Sequence, residues 1–224
     1  MLRILNYKVV LMKKNNVSNK TIERLSLYRR ILKKELSGNN QFIFSYDLAG
    51  LANCKADQVR RDLMHLKNNT STKKGYIVKN LISNIDFVLD SDSIQKMAIV
   101  GIGNMGRALI QYFKKRMKNM EIMAGFDIDK SRVDRVIAGC RCYHIDRMEE
   151  IIKQMKIVIG VITVPETDAQ HITDILVKCG IRAIVNFAPV RVKTPAQVYV
   201  ENLDLTTYFE KTAYFAKINK DQQP

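Results

Sequence analysis

The chain has 224 residues, a net charge of +15 and a hydrophobic fraction of 46%. That length suits one large or two modest domains, and that apolar content excludes a chain too polar to build a core. The absence of any run of about 20 apolar residues excludes a membrane-spanning helix.

Of the net charge, +10 falls within residues 1–90 and +5 in the rest. The front part is therefore expected to meet a polyanion such as nucleic acid, although a solvated lysine-rich surface has the same composition. The apolar start, Met1–Val10, is too short for a secretory signal and runs on to Lys13-Lys14. Cys54, Cys140, Cys142 and Cys179 make no C-x-x-C pair, and Cys140-x-Cys142 has no zinc-finger partners. A cytoplasmic chain with reduced thiols and no metal is expected.

In chain order, the stretch Val17–Glu23 offers cap residues before an apolar series, Ile22, Leu25, Tyr28, Ile31, Leu32 and Leu36, at helical spacing. Ser37-Gly38-Asn39-Asn40 ends that helix. Ser45 is expected to cap a short second helix, Tyr46–Ala52, and Asp57 a third, Gln58–Leu66. Two short helices joined by a brief turn form a helix-turn-helix. Asn68 to Gly75 is polar and basic and runs into a candidate strand, Tyr76–Val78, which together would make a wing. A linking helix through Leu81, Ile85, Val88 and Leu89 ends at the polar cluster Asp90–Ser93, the expected boundary. The domains are thus residues 1–90, 91–203 and a C-terminal segment, 204–224.

The second part alternates strand and helix. Strands are expected at Lys96–Val100, Glu121–Phe126, Ile157–Thr163, Ile181–Asn186 and Gln197–Glu201. Helices are expected at Asn104–Lys118, Met148–Met155, Pro165–Cys179 and Leu205–Ile218. Continuous apolar strands suit a sheet covered on both faces, so the class is α/β with an open, parallel, doubly wound sheet.

The strand ending at Val100 enters Gly101-Ile102-Gly103-Asn104-Met105-Gly106, a G-x-G-x-x-G turn that opens an amphipathic helix. Asp127, 21 residues past Gly106, ends the next apolar run. This spacing belongs to dinucleotide binding: glycines admit the pyrophosphate, the helix N-terminus faces it, and the acid accepts the adenine ribose hydroxyls. A carboxylate there favours NAD(H) over NADP(H), with Lys130 and Arg132 nearby weakening the preference. Glycines serving packing alone, or an S-adenosylmethionine site, share parts of the pattern. Thr163-Val164-Pro165 and Asn186-Phe187 end neighbouring strands, where such sheets bind ligands, and ordinary loop chemistry explains them equally well.

Hydride transfer normally needs an acid or base beside the nicotinamide. His65, His144 and His171 each read as surface or packing residues, away from the strand ends. No substrate domain follows the last strand. The chain is therefore expected not to be an enzyme, with a small NAD-dependent oxidoreductase or a nucleotide-responsive protein adaptor as the alternatives. The third helix carries Lys55, Gln58, Arg60 and Arg61 near its start, types suited to base edges and phosphates. Lys73 and Lys74 would add the wing. A solvated helix face, with Arg61 and Asp62 in local ion pairs, is the plainer account.

The ordered set of segments resembles the Rex-type redox-sensing transcriptional repressors over residues 17–216. The segments that carry the resemblance are Thr21–Leu32, Gln58–Leu63, Val100–Leu109, Phe126–Asp129, Thr163–Pro165, Ala183–Pro189 and Val200–Asp204. The resemblance implies a homodimer with winged-helix DNA domains, Rossmann domains holding NAD(H), and a final helix exchanged between subunits. It further implies that NADH releases the DNA operator while NAD+ does not. A polar switch network would map to Arg30, Tyr112 and Asp204. Two features depart from the family: the wing has a single glycine, Gly75, and Leu205 stands where an aromatic is common.

Overall fold

The computed structural model describes residues 17–66, 72–89, 93–114 and 119–220. The chain divides into two compact units, Met1–Asp92 and Ser93–Pro224.

The first unit opens with α1, Asn19–Ser37. Ser18 is its cap, with Oγ accepting the Thr21 N–H at 3.2 Å. Thr21, Leu25, Tyr28 and Leu32 form its buried stripe. At its end Gly38 keeps φ at −84°, and the left-handed residue is Asn39, at φ 66°. The glycine expected to end the helix is present, but an asparagine makes the turn.

Strand β1, Phe42–Ile43, pairs antiparallel with β2, Tyr76–Ile77. Between them come α2, Ser45–Leu51, and α3, Ala56–Leu63. Both expected caps shift. Phe44 holds the cap position of α2, so Ser45 is its first helical residue. Lys55 holds that of α3, so Asp57 lies in the first turn. Helix α3 also stops earlier than expected, although Leu66 remains buried. Val78 begins α4, Val78–Leu89, rather than extending the strand. Leu25, Tyr28, Leu32, Leu48, Val59, Leu63, Leu81 and Ile85 make the core of this unit.

The second unit is a seven-stranded sheet. Its strands are β3 (Gln95–Val100), β4 (Met120–Asp127), β5 (Val136–Ile137), β6 (Cys140–His144), β7 (Ile159–Ile162), β8 (Ala183–Asn186) and β9 (Tyr199–Asn202). Their order is β5-β6-β4-β3-β7-β8-β9. All neighbours are parallel except β5 with β6. The expected parallel sheet thus carries one antiparallel edge strand. Leaving β5 aside, the order is the 3-2-1-4-5-6 of a dinucleotide fold, reversing between β3 and β7.

Helices α5 (Asn104–Phe113), α6 (Met148–Met155) and α7 (Glu166–Lys178) accompany the sheet. Residues 115–118, expected to continue α5, lie outside the described ones. Strands β5 and β6 were not anticipated, because Cys140-Arg141-Cys142-Tyr143-His144 interrupts its apolar residues with charge. The last helix, α8 (Leu205–Lys220), buries none of its described side chains in this chain: Tyr208, Phe209, Tyr214 and Phe215 are all exposed. No described helix is long and apolar enough to cross a membrane.

Candidate functional site

In the second unit a cleft of about 640 Å³ opens at the carboxyl ends of β3, β4 and β7. It lies where the strand order reverses, the place at which open α/β sheets bind ligands. Gly101, Gly103, Asp127, Thr163, Val164 and Pro165 line it.

The glycine turn is built for close approach. Gly101 has φ 93°, and a Cβ there would stand 2.8 Å from the Thr163 carbonyl oxygen. A Cβ on Gly106 would lie 2.2 Å from the Gly101 oxygen, so α5 packs against the turn only without a side chain. Thr163 locks the two central strands together. Its hydroxyl donates toward the carbonyls of Gly101, at 2.6 Å, and Val100, at 3.0 Å.

Asp127 is 5% exposed. Its Oδ2 accepts the Ile102 N–H at 2.6 Å and an Arg132 guanidinium N–H at 3.1 Å. Its Oδ1 accepts the Asp129 N–H at 2.9 Å. The carboxylate therefore ties the glycine turn to the end of β4, and Arg132 bridges onward to Asp129 at 3.1 Å.

Among the described residues, the remaining expected cofactor contacts do not line the cleft. Ile102 sends its side chain into the core. Asn104 accepts from Arg107 at 2.9 Å, and Met105 is exposed. Gly106 supplies closeness rather than a wall. Asn186 is fully buried. Its amide donates to the Val190 carbonyl at 2.6 Å and to Asn202 Oδ1 at 3.0 Å, while its oxygen accepts the Ala188 N–H at 3.0 Å. It shapes the loop after β8, and Phe187 packs against the apolar core.

His171 is an exposed residue of α7, as the sequence reads, but it is not away from the strand ends: with Asp168 it lines this cleft. Periodicity places it on a helix but says nothing of which strand end that helix faces. Arg132 and Ile145 also line the cleft. A basic residue five positions after the acid was a visible signal for Arg132; nothing marked Ile145.

In the first unit, α3 buries Val59 and Leu63 and leaves Arg60, Arg61 and Lys55 exposed. Arg60 pairs with Asp57 and donates to Ser45 Oγ at 3.2 Å. Gln58 is spent internally: its amide donates to Asp62 at 2.9 Å, and its oxygen takes a 3.4 Å contact from Arg61. Asp62 is 1% exposed, not part of a surface pair with Arg61. Arg24 grips it with Nε at 2.6 Å and Nη2 at 2.7 Å, and the Tyr28 hydroxyl donates at 3.0 Å. Burial alone would raise the Asp62 pKa. The bonds from Arg24, Tyr28 and Gln58 outweigh it and hold the carboxyl below its ordinary value. Burial, and the bonds to Cys54 and Asp62, push the Tyr28 hydroxyl up.

The basic segment expected as a wing is described from Thr72 onward; 67–71 lie outside the described residues. Thr72 and Gly75 exchange backbone bonds of 2.8 and 3.0 Å, turning Lys73 and Lys74 outward. Of the expected switch residues, Arg30 is exposed on α1 in the first unit. Tyr112 is exposed on α5, edge-on to Phe113. Asp204 accepts the Thr206 N–H at 2.9 Å and the Thr207 hydroxyl at 2.7 Å at the start of α8. The Thr207 bond leads in lowering its pKa.

Family profiles divide the chain in the same sense. One described as a putative DNA-binding protein N-terminus matches residues 16–63, and a CoA binding domain matches residues 92–190. The redox-sensing transcriptional repressor Rex of Lactobacillus acidophilus is 34% identical over 94% of this chain and 100% of that protein. The chain belongs to the Rex family. Its fold matches RSP, a Rex-family repressor, in complex with β-NAD+ and operator DNA, with TM-score 0.84 and 30% identity over 92% of this chain and 94% of that one. RSP in complex with β-NADH matches with TM-score 0.80 and 31% identity, over 93% and 97% of the two chains. The Rex proteins matched over nearly their whole length are repressors rather than enzymes.

Proposed function

We propose that this Rex-family chain is a DNA-binding transcriptional repressor that senses the NADH/NAD+ ratio and releases its operator when NADH binds. The observation that carries this reading is one chain holding both a recognition helix and an Asp127-anchored glycine cleft. Relatives of the same architecture are described with NADH, and with NAD+ and operator DNA.

The cleft fits NAD(H) on its own chemistry. Its volume suits a dinucleotide part-buried in an open groove. The turn before α5 leaves N–H groups for the pyrophosphate. The buried Asp127 accepts the adenine ribose hydroxyls, and Thr163, Val164 and Pro165 border the nicotinamide end. When bound, the nicotinamide supplies a ring charge that differs between NAD+ and NADH.

In the DNA-binding domain, residues 1–90, Arg60 and Arg61 face DNA from α3. Lys55 and the wing lysines Lys73 and Lys74 neutralise phosphates. Gln58 orients Arg61 and reads bases only by exchanging its bond to Asp62. The functional form is a cytoplasmic homodimer. The exposed aromatic face of α8, in the segment 204–224, is the surface a second copy would cover. On the family resemblance, Arg30, Tyr112 and Asp204 are the residues assigned to a polar switch between two dimer states.

An anisotropy titration on the operator that RSP binds tests the sensor. NADH at saturation should release the duplex and NAD+ should leave it bound; no response to either nucleotide would remove the reading. Asp127→Ala should weaken NADH about tenfold or more by calorimetry, since both the ribose acceptor and the loop anchor go. Unchanged affinity would refute the ribose role.

A further inference from the structure

The first unit exposes a feature that neither the recognition helix nor the wing lysines explain. Phe42, Phe44 and Tyr46 follow one another along β1 and into α2, and each is exposed, Tyr46 by 60%. Phe44 and Tyr46 stack with ring centroids 5.1 Å apart and planes within 9°. Stacking two solvent-facing rings fixes a flat apolar surface that a folded monomer gains little from exposing.

Cations stand at both ends of this strip. Lys74 of the hairpin sits over the Phe42 ring, 5.9 Å from its centroid. Ser45, between Phe44 and Tyr46 in sequence, accepts from Arg60 of α3, which also pairs with Asp57. The strip thus meets the recognition helix through Ser45 and the basic hairpin through Phe42.

We propose that Phe42, Phe44 and Tyr46 form an uncharged contact to duplex DNA, laying ring faces on deoxyribose between the phosphates met by Arg60 and Lys74. The inference rests on the repressor reading above. Charge favours DNA over a second copy of the chain, because another copy would bring its own cations to Arg60 and Lys74. The bases of a duplex are stacked away, whereas its sugars present apolar edges between phosphates.

The consequence separates this contact from the basic ones. Lysine contacts release counterions, so Lys74→Ala should weaken binding and make the salt slope shallower by about 0.9. A ring on a sugar releases none. Tyr46→Ala should therefore cut affinity about fivefold, the scale of one aromatic packing contact, at an unchanged slope.

The probe is a duplex recovered by the wild-type full-length chain from a random-sequence pool, followed by anisotropy across a salt series. Tyr46→Phe should bind as wild type and Tyr46→Leu in between, which keeps the comparison open should the alanine variant melt early. Failure of wild type to recover any duplex defeats the repressor reading. Recovery with Tyr46→Ala and Tyr46→Leu binding as wild type defeats this inference alone. So does an affinity loss with a changed slope, which would trace to Arg60 through Ser45. Tighter binding to the single strand than to the duplex would reassign the strip to stacked bases and overturn it. A Tyr46→Ala change in sedimentation without a change in DNA binding would give the strip to a second copy.

Discussion

Each unit is organised around one buried aspartate, and the two are held by different means. Asp127 takes two of its bonds from backbone N–H groups, Ile102 and Asp129. Asp62 takes all of its bonds from side chains, and Arg24 and Tyr28 come from a helix 34 to 38 residues earlier. Asp127 borders an open cleft; Asp62 is sealed between α1 and α3. The first arrangement shapes a loop for a ligand, while the second fastens two helices. Removing one carboxylate should chiefly cost binding, and removing the other should chiefly cost fold.

The sharpest way to break that division is to damage the cleft unit sterically. Gly106→Val should destabilise residues 93–224 by about 3 kcal/mol in urea unfolding, because the new side chain meets the Gly101 carbonyl. A variant as stable as wild type would mean α5 does not need to pack that closely.

Asp62→Asn comes next, at about 2 kcal/mol, since Arg24 loses its carboxylate but keeps 25% exposure to water. The Asp62 pKa is lowered in the folded state. Its contribution is therefore complete above the ordinary carboxylate value near pH ~4 and fades as pH falls through its own lower value. The Asn variant should show a flatter stability profile in that acid window. A profile parallel to wild type would show that Asp62 is not the group being titrated.

The smallest effect concerns thiols. Burial pushes Cys140 and Cys142 up to about 11, and burial likewise raises Cys179. All three should stay protonated and unreactive at pH 8. The half-buried Cys54 of the first unit should be the one fast thiol toward an aromatic disulfide reagent. A second fast thiol would show that the sheet edge around Cys140 opens in solution.

The two aspartates also mark how far the sequence could be read. Asp127 was legible because its partners are set by a local spacing: glycine turn, helix, strand, acid. Met148–Met155 was legible for a similar reason, an apolar period bounded by its own ends. Asp62 was not, because its partner could be read as the adjacent Arg61, and only packing of α1 against α3 brings Arg24 to it. The bond from Gln58 to Asp62 was hidden for the same reason. Strands β5 and β6 escaped because β5 is a two-residue edge strand and β6 beside it breaks its apolar residues with Arg141. His171 escaped because facing a cleft is a property of the sheet, not of its helix.

The anchoring of the glycine turn limits what that turn can report. In the proposed sensor, Asp127 grips the adenosine half, which NADH and NAD+ share. Whatever affinity it adds is common to both and cancels when the two compete for one cleft. It sets the total nucleotide concentration at which the cleft fills, not the ratio at which the repressor lets go. That ratio has to be weighed at the opposite end, beside Thr163, Val164 and Pro165.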